Sequence, residues 1–454
     1  MSFSGFPRQQ AIRLCTRAKP AALLGAVAGY TRVGSACSLP KIGTVQKQFS
    51  MRLRELDLLR MFAALLSGAA IRICDALLPS LVSIFKVSAG YAALTITAFA
   101  LTYSLTQLIF GPLGDRVGRP RLVRIALYGA SAGAALSAMA PSIDILLFGR
   151  FIWGCAGAGI VPLCMAWIGD EVPYAERQAA LAKLLIGTLT GMALGQLLGG
   201  ILVDTMVGWR GAFVLMALAY VGTAARLAVV LRRPEHREID IVAYPHVSQS
   251  CGETIAESAR MVLHVLTSRW PRIVLLATFL EGVFLLGPLA LVPAWLHARF
   301  QISPASASMC AALYAVGGLA YACAARPLVS KIGEQGMVLS GTLLVGFALI
   351  GIGGLPTPSL GVPVAFLLGF GAYLLHNTLQ VHATQMSPGV RGTAVSLFTA
   401  SLYLGQAFGV MVGGWSIDHL GYRPVFLVGS VAMLIVGWCF WAMLNRRRAD
   451  HAAA

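Results

Sequence analysis

From residue 56 onward, twelve apolar stretches follow one another, each near or above the roughly 20 residues a helix needs to cross a bilayer core. They run 56–84, 90–111, 122–141, 144–168, 180–203, 211–231, 272–297, 303–326, 336–355, 360–384, 391–417 and 423–444. Lipid offers no hydrogen bonds to a backbone, so stretches of this kind must satisfy themselves as helices. The pattern predicts an all-α polytopic membrane protein with twelve transmembrane helices. The largest gap, 232–271, is polar and mixed in charge, and it divides the spans six and six.

Composition agrees. Charged residues are 12% of the chain and hydrophobic ones 57%, whereas soluble domains carry about 25% charged residues. The net charge of +17 does not indicate a nucleic-acid partner, because the basic side chains sit in loops and tails between apolar spans. With the N-terminus inside, the segments that face the cytoplasm from residue 51 onward hold 21 Lys and Arg, and the outer loops hold four: Lys86, Arg210, Arg299 and Arg423. A bias of this size places both termini in the cytoplasm. The nine cysteines are scattered without metal-ligand spacing and read as small core residues. No phosphate loop, metal cluster or nucleophile–base pair is present, so no enzyme, cofactor or ATP motor is expected. His376 and His382 are six apart and do not share a helical face.

The predicted organisation is a basic leader (1–50), a first six-helix half (51–231), a cytoplasmic central loop (232–271), a second half (272–445) and a cytoplasmic tail (446–454). The leader carries seven basic residues and no acid. It is either a targeting segment or an upstream extension of a chain that starts at Met51. The halves resemble each other at an offset near 214. Gly195-x3-Gly199-Gly200-x3-Asp204 with Gly208-Trp209-Arg210-x2-Phe213 recurs as Gly409-x3-Gly413-Gly414-x3-Asp418 with Gly421-Tyr422-Arg423-x2-Phe426. Pro112, Leu113 and Gly118 answer to Pro327, Leu328 and Gly333. A six-span repeat keeps its orientation, so the halves are parallel. A midplane site between such halves is a transporter architecture.

Between spans 2 and 3 lies GPLGDRVGRPRLVR, residues 111–124. Gly111, Leu113, Asp115, Arg116, Gly118 and Arg119 match the pattern G-x-L-x-D-R-x-G-R. That pattern resembles the loop between spans 2 and 3 of the major facilitator superfamily of secondary transporters. Pro120 stands where the superfamily usually has a further basic residue. The resemblance covers about residues 55–445 and implies that this stretch is a gating loop. Asp115 is then expected to hold a cytoplasmic gate by facing the N-terminal end of span 11, near Arg391 to Thr393, where the helix dipole is positive.

Ionisable groups inside a membrane cost roughly 2.5–3.5 kcal/mol each on insertion scales, which makes each a functional candidate. Arg72 and Asp75 stand one turn apart in span 1 and can pair. An acid there that is neutral in one state and charged in another is what proton coupling needs; the alternative is a structural ion pair. Arg150 opens Arg150-x3-Gly154-x2-Gly157-x-Gly159, which resembles the superfamily's span-4 motif and implies a part in proton transfer. Its glycines would let span 1 approach. The alternative is a snorkelling arginine near the inner face. Asp170 and Glu171 are expected partners for the basic loop. Glu281, in span 7, is read as a cavity-facing acid for a proton or a polar substrate, or as a partly wet acid. In span 10, His376, Asn377 and Gln380 suit hydrogen bonding to a small solute, as does Gln196 in span 5. Gln196 occupies the place where the superfamily's antiporter motif has proline.

The stretch Leu375 to Gln380, followed by Pro388 and Arg391-Gly392-Thr393-Ala394, looks like bacterial relatives that resemble drug and sugar exporters. The function so implied is proton-coupled export of a small organic compound, drug-like or a sugar, by a monomer in a bacterial inner membrane. Proton-symport uptake, or a passive facilitator or sensor on the same fold, are the alternatives.

Overall fold

The computed structural model describes residues 42–172, 174–232, 260, 262–386 and 391–453. Most of the leader and of the central loop lie outside these residues. Residues 42–54 are helical, and Glu55–Ala454 forms one compact unit.

Within that unit the described residues form twelve crossing helices. The first half holds α1 (Glu55–Phe85), α2 (Ala89–Val117), α3 (Arg119–Ala138), α4 (Ile143–Glu171), α5 (Tyr174–Val203) and α6 (Gly208–Leu231). In the second half, α7 is Arg269–Phe300, and Pro304–Gly354 contains both α8 (304–332) and α9 (334–354). The last three are α10 (Gly361–Gln385), α11 (Arg391–Leu420) and α12 (Arg423–Ala453).

The loop motif is shorter than its sequence suggested. Helix α2 runs through 111–117, so most of the motif is the last two turns of a helix. Only Gly118 leaves helical geometry, at φ 89°. Gly333 does the same between α8 and α9, at φ 63°. Both breaks need a backbone that only glycine adopts without strain, and they stand at repeat-equivalent positions.

Lipid gives helices no hydrophobic reason to associate, so close packing must hold the bundle. Glycine seams provide it. On α5, a Cβ at Gly191 would fall on the Leu65 carbonyl of α1, and one at Gly195 on the Ala69 carbonyl. On α11, a Cβ at Gly405 would fall on the Phe279 carbonyl of α7, and one at Gly409 on that of Val283. Each residue of the second seam is its first-half counterpart plus 214, so the repeat read in the chain is a repeat of backbone contacts. Helices α1 and α7 are the most buried of the long apolar helices.

One glycine expectation is corrected. Gly154 brings α4 closest to α2, at Phe99 and Thr102, while Gly157 meets only the Trp153 ring of its own helix and so makes no room for α1.

Candidate functional site: a buried charge cluster between two six-helix halves

In the first half, Arg72 Nη1 donates to Asp75 Oδ2 at 3.0 Å. Asp75 is 0% exposed and Arg72 3%. The i, i+3 spacing on α1 puts both on one face. The Arg72 guanidinium carbon also lies 5.9 Å from the ring centre of Tyr314 on α8, so the pair reaches the opposite half. Asp75 Oδ1 and Arg72 Nη2 have no hydrogen-bond partner among the described residues.

Arg150 is the second cation near Asp75. Its Nε donates to the Thr95 carbonyl at 3.3 Å and its Nη2 to the Ala70 carbonyl at 3.2 Å. The guanidinium carbon lies 4.1 Å from the ring centre of Phe99 and 4.9 Å from that of Trp153, two rings that meet edge-on. It is 0% exposed, so the snorkelling alternative is overturned. Arg150 also sits in the first third of α4, far from the end that carries the 111–124 stretch. Aromatic faces and backbone carbonyls stabilise the cation in place of water.

In the second half, Glu281 on α7 and His376 on α10 form a pair. His376 Nδ1 lies 3.2 Å and 3.1 Å from the two carboxylate oxygens. Glu281 is 2% exposed, which overturns its reading as a partly wet acid. Directly after it, α7 widens into a π-helical turn, Gly282–Leu286; such turns are frequent at functional sites. Asn377 Nδ2 donates to the Tyr321 hydroxyl at 3.0 Å, and so joins α10 to α8. Gln380 is half-buried one turn beyond His376, and Gln196 on α5 is buried with its Nε2 unpartnered.

Tyrosines, which sequence reasoning missed, connect these groups. Tyr103 of α2 meets Tyr403 of α11 edge-on at 4.8 Å across the two halves. Tyr373 lies 6.1 Å from both Tyr314 and His376. Single tyrosines in apolar helices leave no periodic signal, so no pattern could have marked them.

At the end that carries the 111–124 stretch, Arg119 holds Asp115 Oδ1 at 3.0 Å and the end of α4 through Asp170 at 2.5 Å and the Ala166 carbonyl at 2.8 Å. Glu171 pairs with Arg60 of α1 rather than with the motif, and Arg60 stacks 3.9 Å over Trp167. Asp170 is thus partnered as expected and Glu171 is not. The Asp115 side chain is 65% exposed and turned to Arg119; the start of α11 that it was expected to face falls partly outside the described residues. The side chains of Arg391 and Gly392 lie outside the described residues.

A family model described as the Major Facilitator Superfamily matches residues 60–381 and 274–454. The chain belongs to the Major Facilitator Superfamily. Among superfamily relatives, it is 28% identical over 404 residues to the Multidrug resistance protein MdtG of Citrobacter koseri, with 86% of this chain and 94% of MdtG covered. It is 24% identical over 363 residues to the uncharacterized MFS-type transporter YceJ of Bacillus subtilis, which covers 79% of this chain and 88% of YceJ. The fold matches the crystal structure of a D-xylose-proton symporter with a TM-score of 0.69 at 16% identity, covering 86% of this chain and 97% of that one. The twelve-helix, two-repeat architecture of this superfamily is the one described above.

Proposed function

We propose that the chain is a proton-coupled secondary transporter that exports a small organic compound by alternating access. The observation that carries this is the wholly buried Arg72–Asp75 pair, with Arg150 behind it and its guanidinium turned to the other half. A buried ion pair gives weak net stabilisation, so its cost is better explained by a change of charge state during a cycle. Protonation of Asp75 neutralises it and releases Arg72 from its salt bridge. The balance between two arrangements of the halves then shifts by whatever that contact contributes to one of them. Glu281 and His376 offer a second place where a proton can move between two side chains. His376, Asn377, Gln380 and Gln196 supply hydrogen-bonding groups for the solute. The similarity to a multidrug resistance protein supports export.

In this reading the basic end faces the cytoplasm of a bacterium, both termini are inside, the protein works as a monomer, and no cofactor is needed. A proton gradient suffices, since the potential contributes roughly 2.3 kcal/mol per charge per 100 mV.

The test is proton release from the purified protein on adding candidate compounds, with wild type and Asp75→Asn compared. The wild type is expected to release protons with at least one compound and Asp75→Asn to fall to background while remaining folded. In vesicles, compound movement against a gradient should stop on adding a protonophore. A folded Asp75→Asn variant that still releases protons would remove Asp75 from the coupling role. Movement that only equilibrates, and ignores the protonophore, would make the protein a facilitator.

A further inference from the structure

The Asp204/Asp418 repeat has no part in the site above, yet both carboxylates do the same thing at the end of the bundle opposite the basic loop. Asp418, at the end of α11, receives the Gly90 amide on Oδ1 at 3.0 Å and the Ser88 hydroxyl on Oδ2 at 2.7 Å. Ser88 is the N-cap of α2, in the other half. Asp204, at the end of α5, receives the Ala305 amide on Oδ2 at 3.3 Å. Ala305 follows Ser303, the N-cap of α8, again in the other half. Ser88 and Ser303 are 215 apart, as are Gly90 and Ala305. Each half therefore sends one acid to the same amide in the first turn of the same helix of its partner.

That first turn is where helix amides lack intrahelical acceptors and where the dipole favours negative charge. Close approach makes the contact possible. A Cβ at Gly90 would overlap Asp418 and the Gly414 carbonyl, and one at Gly200 would overlap Ser308 and the Pro304 carbonyl. The two contacts are unequal. Asp418 uses both oxygens, while Ser303 turns its hydroxyl to Ser306 at 3.1 Å, so that among the described residues Asp204 receives the amide alone.

We propose that Asp204 and Asp418 form a paired latch that holds this end of the two halves shut, with Asp418 the stronger member. This rests on the alternating-access reading, in which this end is the outer one. To open it, two carboxylates must leave two helix N-termini together. Asp115, the acid at the opposite end, is meanwhile turned to Arg119 within its own half.

The experiment places a cysteine at Thr97, whose hydroxyl meets the Ala407 carbonyl of the other half at 3.4 Å and so lies behind the latch. The full-length chain in intact cells is exposed to a membrane-impermeant maleimide, and labelling of position 97 is read by peptide mass spectrometry. Asp418→Asn is expected to raise the labelling rate about tenfold, since loss of a charge-assisted contact to a helix terminus is of that order. Asp204→Asn should raise it about threefold. Unchanged labelling in folded Asp418→Asn protein would overturn the latch. A larger effect from Asp204→Asn would overturn the ranking. If Asp418→Asn fails to fold, Ser88→Ala removes one donor only and should still raise the rate about threefold; no change there overturns the proposal as well. The labelling needs no substrate. A chain that labels as expected yet moves no compound keeps the latch and loses the export reading.

Discussion

Arg150→Met is expected to lower stability by about 2–4 kcal/mol, seen as a fall of several degrees in the melting midpoint of the purified protein. The guanidinium bonds two carbonyls on two different helices, those of Ala70 on α1 and Thr95 on α2, and lies against the rings of Phe99 and Trp153. Methionine fills some of that volume and supplies neither hydrogen bond. It also leaves Asp75 with Arg72 as its remaining close cation, a loss that a buried carboxylate feels strongly. Arg150→Lys keeps the charge but lacks the planar fork that spans both carbonyls, so it should fall between wild type and methionine. The pairing with Asp75 has its own readout. Combined with Asp75→Asn, Arg150→Met should cost less than the sum of the two single changes, because the carboxylate that missed its cation is gone. Strict additivity would mean that Arg150 serves packing alone. A loss below about 0.5 kcal/mol would be that of a surface residue and would contradict its burial.

Gly191→Val should be at least as damaging, for a different reason. The α1–α5 seam brings the Leu65 carbonyl to the place a Cβ would occupy, and a backbone oxygen cannot swing aside as a long side chain does. The helices must part, which removes packing along the seam and strains both backbones. A loss of about 3 kcal/mol or more is expected, read as failure to recover monodisperse protein. Gly405→Val, the same position in the α7–α11 seam, should behave alike. Gly222 has nothing within 4 Å of an added Cβ, and Gly222→Ala serves as the control that should leave recovery unchanged. If Gly191→Val protein elutes and melts as wild type does, the seam is not what holds α1 in place.

How much of this was legible beforehand depended on how local the signal is. The crossings follow from hydrophobic length alone. All twelve are read that way, including α3, although it begins with Arg119, Arg121 and Arg124, and α8 and α9, although they join at one glycine. Arg72 and Asp75 could be paired from spacing, because helix geometry fixes where residues three apart lie. Glu281 and His376 could each be flagged as costly in a membrane, but their pairing spans 95 residues and belongs to the tertiary fold. The Asp204/Asp418 repeat was plain in the chain, while its meaning was hidden, since the partners the two acids share are backbone amides and amides have no sequence signature. Asp115, four residues before the start of α3, has Arg119 one turn away on its own side, and that local partner holds it here.

The wide turn in α7 has a mechanical consequence. A π turn holds one residue more than the α-helix around it. To tighten Gly282–Leu286 into α geometry, the helix would have to pass that residue along, turning one side against the other by about 100°. Glu281 stands at the edge of the turn and Gly287 at its far side, against Gly409. A ratchet of this kind would swing the carboxylate away from His376, and because Phe279 lies on the same side of the turn it would carry that carbonyl off Gly405 and break that contact of the α7–α11 seam. The second half would then carry a rotary element in its central helix, one that ties the partner of its buried acid to the state of the α7–α11 seam.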